Sequence, residues 1–190
     1  GGFGVAYLPE ETSLDVDSIF AKLAPFISDH AKKLNLTTFK VSIEPGRAIA
    51  APTTTTLYTV GTTKNIELDG GDTRRYIAVD GGFIDNLRPA LYGAKYHCLL
   101  ANRESTSHDV LSRVVGKHCE SGDILIRDIN LPEDIAPGDI LAVPVTGAYG
   151  RMMANNYNHL ARPAVVAVKD GKARLIVRRE SIDDILALEL

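Results

Sequence analysis

The spacing of apolar positions changes part-way along the chain, and the change divides it. In "LDVDSIFAKLAPFISDHAKKLNL" the residues Ile19, Leu23, Ile27, Ala31 and Leu34 fall on one helical face. Asp15 or Asp17 is placed to cap the start, and Lys32 and Lys33 suit the end. Pro25 lies inside and predicts a kink or a split into two helices. "FKVSI", Phe39–Ile43, reads as a short strand running straight into "EPGRA". Ahead of the helix, "GGFG" is a glycine loop of the kind that follows a strand. Glycine loop, helix, strand and loop in that order fit the end of a βα repeat, whose post-strand loops carry sites.

After about Pro52 the period shortens to two. "TTTTLYTVGTTKNIEL", "RRYIAVD", "AKYHCLLANR", "SRVVGKH", "DILIRD", "DILAVPV", "PAVVAVKD" and "KARLIVRRE" are β-branched or alternating runs separated by Gly, Pro, Asp and Asn. Asp170-Gly171 between two apolar runs is a hairpin signal. No long helical stretch follows until "SIDDILALE", where Ser181 can cap a short helix. The pattern predicts an α+β chain. Residues 1–51 belong to the end of a (β/α)8 barrel, and residues 52–190 form a mostly antiparallel β domain, a Greek-key-like barrel or sandwich.

Composition narrows the function classes. With 190 residues, 45% of them hydrophobic, the chain can bury one sizeable core or two smaller ones. A net charge of −3 without any Lys/Arg run gives no reason to expect nucleic acid. No apolar run approaches the roughly 20 residues a membrane helix needs. Two cysteines are too few for a disulfide framework, which favours a reducing cytoplasm. "GGFGVAYLPEE" has no initiating Met and no signal-peptide layout, so the chain is expected to be cut from a longer one.

Candidate chemistry lies in four places. "EPGR" sets Glu44 and Arg47 around a Pro-Gly turn: a carboxylate can hold a heteroaromatic nitrogen protonated, and a guanidinium can grip phosphate or carboxylate. Turn formation alone also accounts for it, as it does for "GGFG". "NLRPALYG" spaces Arg88 and Tyr92 four residues apart, one face of a helical turn, suited to a substrate carboxylate or to a surface salt bridge. Tyr149, between glycines in "TGAYGR", can pack on a planar ligand or close a turn. "KHCESGD" places Cys119 between His118 and Glu120, unusually polar company for a residue that is commonly a small buried hydrophobe. Cys98, in the apolar run "YHCLLA", belongs to the core. The pairs His97-Cys98 and His118-Cys119 raise a zinc reading, but adjacent side chains in or beside strands diverge, and no metal is expected. His30, His108 and His159 have solvated surroundings.

"GGFG", "EPGRAI", "VDGGFIDNLRPALYGA", "GKHCESGDIL", "LPEDIAPGDILAV", "TGAYG", "NYN" and "ARLIVRRESIDDILALE" occur in one order along the chain. In that order they closely resemble the C-terminal part of the bacterial diaminopimelate decarboxylases, the actinobacterial ones most of all, within the fold-type III pyridoxal-phosphate decarboxylases. The resemblance covers essentially the whole chain but less than half of the family's length. "CESGD" with "RPALY" is specific, whereas "EPGR" alone marks only the wider group that includes ornithine and arginine decarboxylases.

The resemblance implies a (β/α)8 barrel joined to a β domain, in a cytoplasmic homodimer with shared active sites. The implied activity is pyridoxal 5'-phosphate-dependent decarboxylation of meso-2,6-diaminopimelate to L-lysine and CO2, the last step of lysine biosynthesis. Gly2 and the segment Glu44, Pro45, Gly46 and Arg47 would hold the cofactor, Glu44 at its pyridine nitrogen, with Tyr149 touching both cofactor and substrate. Arg47 would also reach the substrate, Arg88 and Tyr92 would hold its distal carboxylate, and Glu120 would accept the ammonium at that end. Cys119 would return a proton to the carbon that loses CO2, in the partner's site. The family's cofactor-linking lysine has no counterpart among Lys22, Lys32, Lys33, Lys40, Lys64, Lys95, Lys117, Lys169 and Lys172, so this chain is expected to hold half a site and to be inactive alone. Two alternatives stay open: a sibling decarboxylase of ornithine, arginine or carboxynorspermidine, or a non-catalytic β-domain module.

Overall fold

The expected helix forms as α1 (Val16–Lys33) in the computed structural model, which describes residues 1–190. Asp15 is its cap. The carboxylate accepts from the Asp17 and Ser18 amides at 3.1 and 3.3 Å, satisfying donors that a helix start leaves free. Ile19, Leu23 and Ile27 are half-buried and Ala31 is buried, as the spacing implies, but Leu34 lies past the last turn and is exposed. The split expected at Pro25 does not occur, because α1 runs through it as one helix. Proline removes one N–H and therefore one rung, and the neighbouring rungs carry the helix across it.

The strand expected at Phe39–Ile43 is not formed either. The segment pairs with no other strand, and Phe39, Val41 and Ile43 are 53, 50 and 45% exposed. A strand persists only where a neighbour takes up its N–H and C=O groups, and residues 1–51 contain none. No (β/α)8 barrel is present in the chain. Helix α2 (Gly46–Ala50) and a 3-10 turn (Ala51–Thr53) lead into the sheet.

From Thr56 onward the period-two pattern builds what it predicts. Strands β1 (Thr56–Glu67), β2 (Thr73–Val79), β3 (Leu99–Leu100), β4 (Asp109–Val115), β5 (Ile124–Pro132) and β6 (Ile140–Val143) form one sheet in the order β3-β6-β1-β2-β4-β5. All neighbours are antiparallel except β2 and β4, which are parallel. The edge strands β3 and β5 come within 8 Å of each other between Cα atoms, so the sheet nearly closes into a barrel. Alternate residues face inward: Tyr58 and Val60, Ile77 and Val79, Leu141 and Val143, joined by Val114, Leu125, Leu131 and Ile135. Burying each of the aliphatic ones stabilises by roughly 1.5–3 kcal/mol. Cys98 is part of this core, 1% exposed, and burial pushes its thiol up to about 12.

Short helices α3 (Arg88–Tyr92) and α4 (Gly150–Met153) sit in the connections. Strands β7 (Val165–Lys169) and β8 (Lys172–Val177) form a separate hairpin, turned at Asp170 and Gly171, both at positive φ. Ser181 starts α5 (Ile182–Ile185) with a capping box closed by Asp184. No helix is long and apolar enough to cross a membrane.

Arg103 fastens the loop after β3 to β6. Its Nε and Nη2 donate to the two oxygens of Asp139 at 2.8 Å each, and Nη1 donates to Asp134 at 2.8 Å. Arg103 holds both carboxyls below the usual aspartate range, Asp139 farthest. A carboxyl whose folded-state pKa is depressed stabilises above its unfolded pKa and loses that contribution as pH falls through the folded value. R103M is therefore expected to lower the urea midpoint clearly at pH 7, progressively less as pH falls below about 4, and least below pH 2. Equal losses at pH 7 and below pH 2 would contradict the assignment.

Candidate active site

The segment Gly116–Asp123 is built around a buried carboxylate. Asp123, 3% exposed, accepts from the Phe83 amide at 2.7 Å and the His118 amide at 3.1 Å. His118 Nδ1 lies 2.5 Å from the same carboxylate, which puts the ring proton on Nδ1. Glycine is required on both sides of it, since a Cβ at Gly82 or Gly116 would run into the Asp123 side chain. The Lys117 amide donates to Gly81 C=O at 3.0 Å, and the Asp123 amide donates to Glu120 C=O at 3.0 Å. The loop is thus closed at its base and presents Cys119 and Glu120 at its tip.

Neighbouring side chains on that tip diverge. His118 is fully enclosed, its ring stacked on Phe83 at 4.3 Å, while Cys119 is an exposed free thiol. Tyr157 completes the group. Its ring lies 5.3 Å from Phe83 and 6.0 Å from His118, and its hydroxyl donates to Glu120 Oε1 at 2.5 Å. That bond keeps the Glu120 carboxyl below its ordinary range and pushes the Tyr157 phenol up. Glu120 Oε2 is enclosed and has no partner.

A second group surrounds Arg88 at the start of α3. Its guanidinium donates to the Tyr96 hydroxyl at 2.7 Å and lies over the rings of Tyr7, Tyr149 and Tyr96 at 5.0, 5.3 and 5.8 Å. Tyr149 adopts φ +70°, a conformation costing on the order of 1–3 kcal/mol in a non-glycine residue. Two residues earlier, Gly147 leaves no room for a side chain, since a Cβ there would strike the Ala50 carbonyl at the end of α2. Tyr92, at the far end of α3, is 66% exposed, and the Arg88 guanidinium bonds to Tyr96 instead.

The third group joins the chain's first residues to "EPGR". Arg47 Nη2 donates to Phe3 C=O at 3.3 Å, and Gly1 packs beside the Glu44 carbonyl. Gly2 is at φ +87° with open space around its Cα. Glu44 is exposed, Pro45 precedes α2 and Gly46 begins it.

All the sequence candidates except the exposed Tyr92 thus fall into three clusters. Gly2 lies with Glu44, Pro45, Gly46 and Arg47, and Arg88 with Tyr149. Cys119 and Glu120 make no hydrogen bond, ion pair or ring contact with any of these. Phe83, His118, Asp123, Tyr157, Tyr7 and Tyr96 have structural parts in these clusters that motif spacing did not assign. His118 and Asp123 stood inside "KHCESGD", and Tyr157 left a signal as an aromatic between two asparagines, residues that tolerate left-handed backbone.

The model of the pyridoxal-dependent decarboxylase C-terminal sheet domain matches residues 18–147. The chain belongs to the pyridoxal-dependent decarboxylase family. It is 50% identical over 190 residues to the diaminopimelate decarboxylase of Mycobacterium tuberculosis and 47% identical to that of Bacillus subtilis. All of this chain but 42% of each relative is covered, so the chain spans about two-fifths of their length. The crystal structure of Helicobacter pylori diaminopimelate decarboxylase complexed with L-lysine superposes with a TM-score of 0.79 at 32% identity, over 99% of this chain and 43% of that one. The nearly closed sheet is therefore the C-terminal sheet domain of this family, and the three clusters lie in or beside it.

Within this decarboxylase domain, D123A would strand three donors around an enclosed imidazole. Its expected cost is about 3–5 kcal/mol, the loss seen when one partner of a buried pair is removed. Lys117→Ala, at an exposed side chain in the same loop, is expected to stay within about 0.5 kcal/mol. Urea unfolding of both variants checks the contrast.

Proposed function

We propose that this chain is the C-terminal portion of a pyridoxal-phosphate-dependent diaminopimelate decarboxylase, which converts meso-2,6-diaminopimelate to L-lysine and CO2 in the last step of lysine biosynthesis. The observation that carries the reading is the tip of the Gly116–Asp123 loop. It holds Glu120, whose carboxyl Tyr157 keeps below its ordinary range, beside an exposed thiol. A substrate with a second amino-acid head needs an anion for that head's ammonium and a cation for its carboxylate. Glu120 and Arg88 supply the two charges, and the similarity to diaminopimelate decarboxylases over the whole chain supports the same substrate.

The cofactor cradle fits the group. The Arg47–Phe3 hydrogen bond and the approach of Gly1 to the Glu44 backbone carbonyl set the glycine loop beside "EPGR", and the two segments together offer glycine backbone, a carboxylate and a guanidinium, a donor set suited to a phosphorylated pyridine. Bound there, pyridoxal phosphate supplies the electron sink for the charge left when CO2 departs. Glu44 would pair with its ring nitrogen. Gly2, Pro45, Gly46 and Arg47 would line its phosphate, and Tyr149 would bridge cofactor and substrate. Arg47, Arg88 and Tyr92 would bind substrate carboxylate. Cys119 would donate the proton that replaces CO2.

In this reading residues 1–51 close the end of a (β/α)8 barrel, which gives the exposed Phe39, Val41 and Ile43 a partner strand. The enzyme works as a homodimer in the cytoplasm, where free thiols such as Cys119 persist. The separation of Cys119 and Glu120 from Glu44, Arg47 and Arg88 supports a site completed across the dimer.

Glu120→Gln in the full-length enzyme is expected to raise KM for diaminopimelate about 10- to 100-fold, the loss of one charge-assisted bond, with cofactor affinity unchanged. An unchanged KM, or an equal cofactor defect, counts against the assignment. A second measurement tests the shared site. Glu44→Ala and Cys119→Ala homodimers are each expected to be nearly dead, and random mixing makes about half of the dimers mixed, each with one intact site. Activity should return to about a quarter of wild type by that symmetry counting. A mixture that stays dead after subunit exchange is confirmed by mass refutes sharing.

A further inference from the structure

We propose that Tyr96 and Tyr7 are positioning residues that set the enzyme's selectivity for a ligand carrying a distal carboxylate. They do so by locking the Arg88 guanidinium with one edge left for the ligand. The inference rests on the diaminopimelate reading, in which Arg88 holds that carboxylate, and adds a specificity element to it.

Arg88 Nη1 donates to the Tyr96 hydroxyl at 2.7 Å. Nε and Nη2 make no hydrogen bond in the chain, and neither is enclosed. One corner of the guanidinium is therefore committed to the protein. The Nε–Nη2 edge remains open to a planar anion that takes two parallel N–H···O bonds. The rings of Tyr7 and Tyr149, at 5.0 and 5.3 Å from Cζ, add two cation–π restraints. An arginine already held in place has little rotamer freedom left to lose when it meets a carboxylate, whereas a free one must lose it on binding.

The two tyrosines are themselves held. Tyr96 is 4% exposed and belongs to the apolar core of the sheet. Tyr7 packs against that core, its ring edge-on to Tyr96 at 5.2 Å and 79°. Tyr7 lies in the segment between the Gly2 loop and α1, so Arg88 is gripped by that segment and by the sheet together. The end of α3 sets the distance from Arg88 to Tyr96. Gly93, at φ +63°, turns the chain back there. Its amide donates to Pro89 C=O at 3.1 Å, and the Ala94 amide donates to Arg88 C=O at 3.3 Å. The turn returns the chain so that a hydroxyl eight residues on meets the guanidinium.

The test uses the full-length, cofactor-loaded enzyme and Y96F, which keeps the ring in the core and deletes the hydroxyl. L-Lysine retains the substrate's second head with its carboxylate, and cadaverine is lysine without that carboxylate. Calorimetric binding of the two reads the carboxylate's share directly. Y96F is expected to weaken lysine about 10-fold and cadaverine less than about twofold, and to raise KM for diaminopimelate about 10-fold with kcat within about threefold. In an R88M background the same change is expected to add less than about twofold, because Tyr96 acts through Arg88. If Y96F folds poorly, Y7L carries the test, since it removes the other restraint and is expected to weaken lysine about fivefold with cadaverine within about twofold. Equal losses for lysine and cadaverine, a lysine affinity within about twofold of wild type in the folded variant, or an undiminished effect in R88M overturns the proposal. Wild-type enzyme that binds lysine no tighter than cadaverine, or that does not decarboxylate diaminopimelate, fails the parent reading instead, so the two failures are distinct.

Discussion

One buried carboxylate organises the functional end of this domain. Asp123 takes hydrogen bonds from two backbone amides and one imidazole, from two separate segments of the chain. A desolvated carboxylate is tolerated only when its lone pairs are filled, and here filling them dictates where the Gly81–Phe83 turn and the Gly116–Asp123 loop lie relative to each other. The glycines at 82 and 116 are consequences of the same constraint, because a single Cβ would displace the carboxylate. His118 is enclosed, its neighbour Cys119 is turned outward, and Glu120 meets Tyr157, all as results of that anchoring.

Around this anchor, polar groups are restrained by aromatic surfaces. Arg88 sits among three tyrosine rings and bonds to one hydroxyl, so a long flexible side chain is left with little freedom to lose when it meets an anion. Glu120 is restrained the same way by a phenol whose ring is wedged against Phe83 and His118. Preorganisation of both charges precedes any ligand, which is the condition under which charge-assisted bonds give selectivity. The nearly closed sheet supplies the rigid support, with its apolar interior behind the loops that carry these groups.

Much of the fold was legible from local patterns. Asp15 capping α1, the alternation of β1 and β2, the left-handed pair at Asp170 and Gly171 and the Ser181 box each depend on residues within a few positions of one another. Backbone preference, side-chain capping and the two-residue period act at that range, so the sequence alone determines them. Cys98 was assignable to the core for the same reason, and the ordered motifs were sufficient to indicate the family.

Tertiary structure decided what depends on distant partners. Phe39–Ile43 has strand composition but no ladder, because hydrogen-bond pairing is a property of two segments and not of one. α1 continues as one helix through Pro25 because the loss of one rung is local and the helix is not. Phe83 and Asp123 are 40 residues apart, and Glu120 and Tyr157 are 37 apart. Their meeting follows from the strand order and the glycine-lined turns rather than from any spacing along the chain. The residue types of the site were therefore visible in the sequence, whereas the restraint placed on them belongs to the folded molecule, where desolvation makes each unfilled lone pair costly enough to choose the geometry.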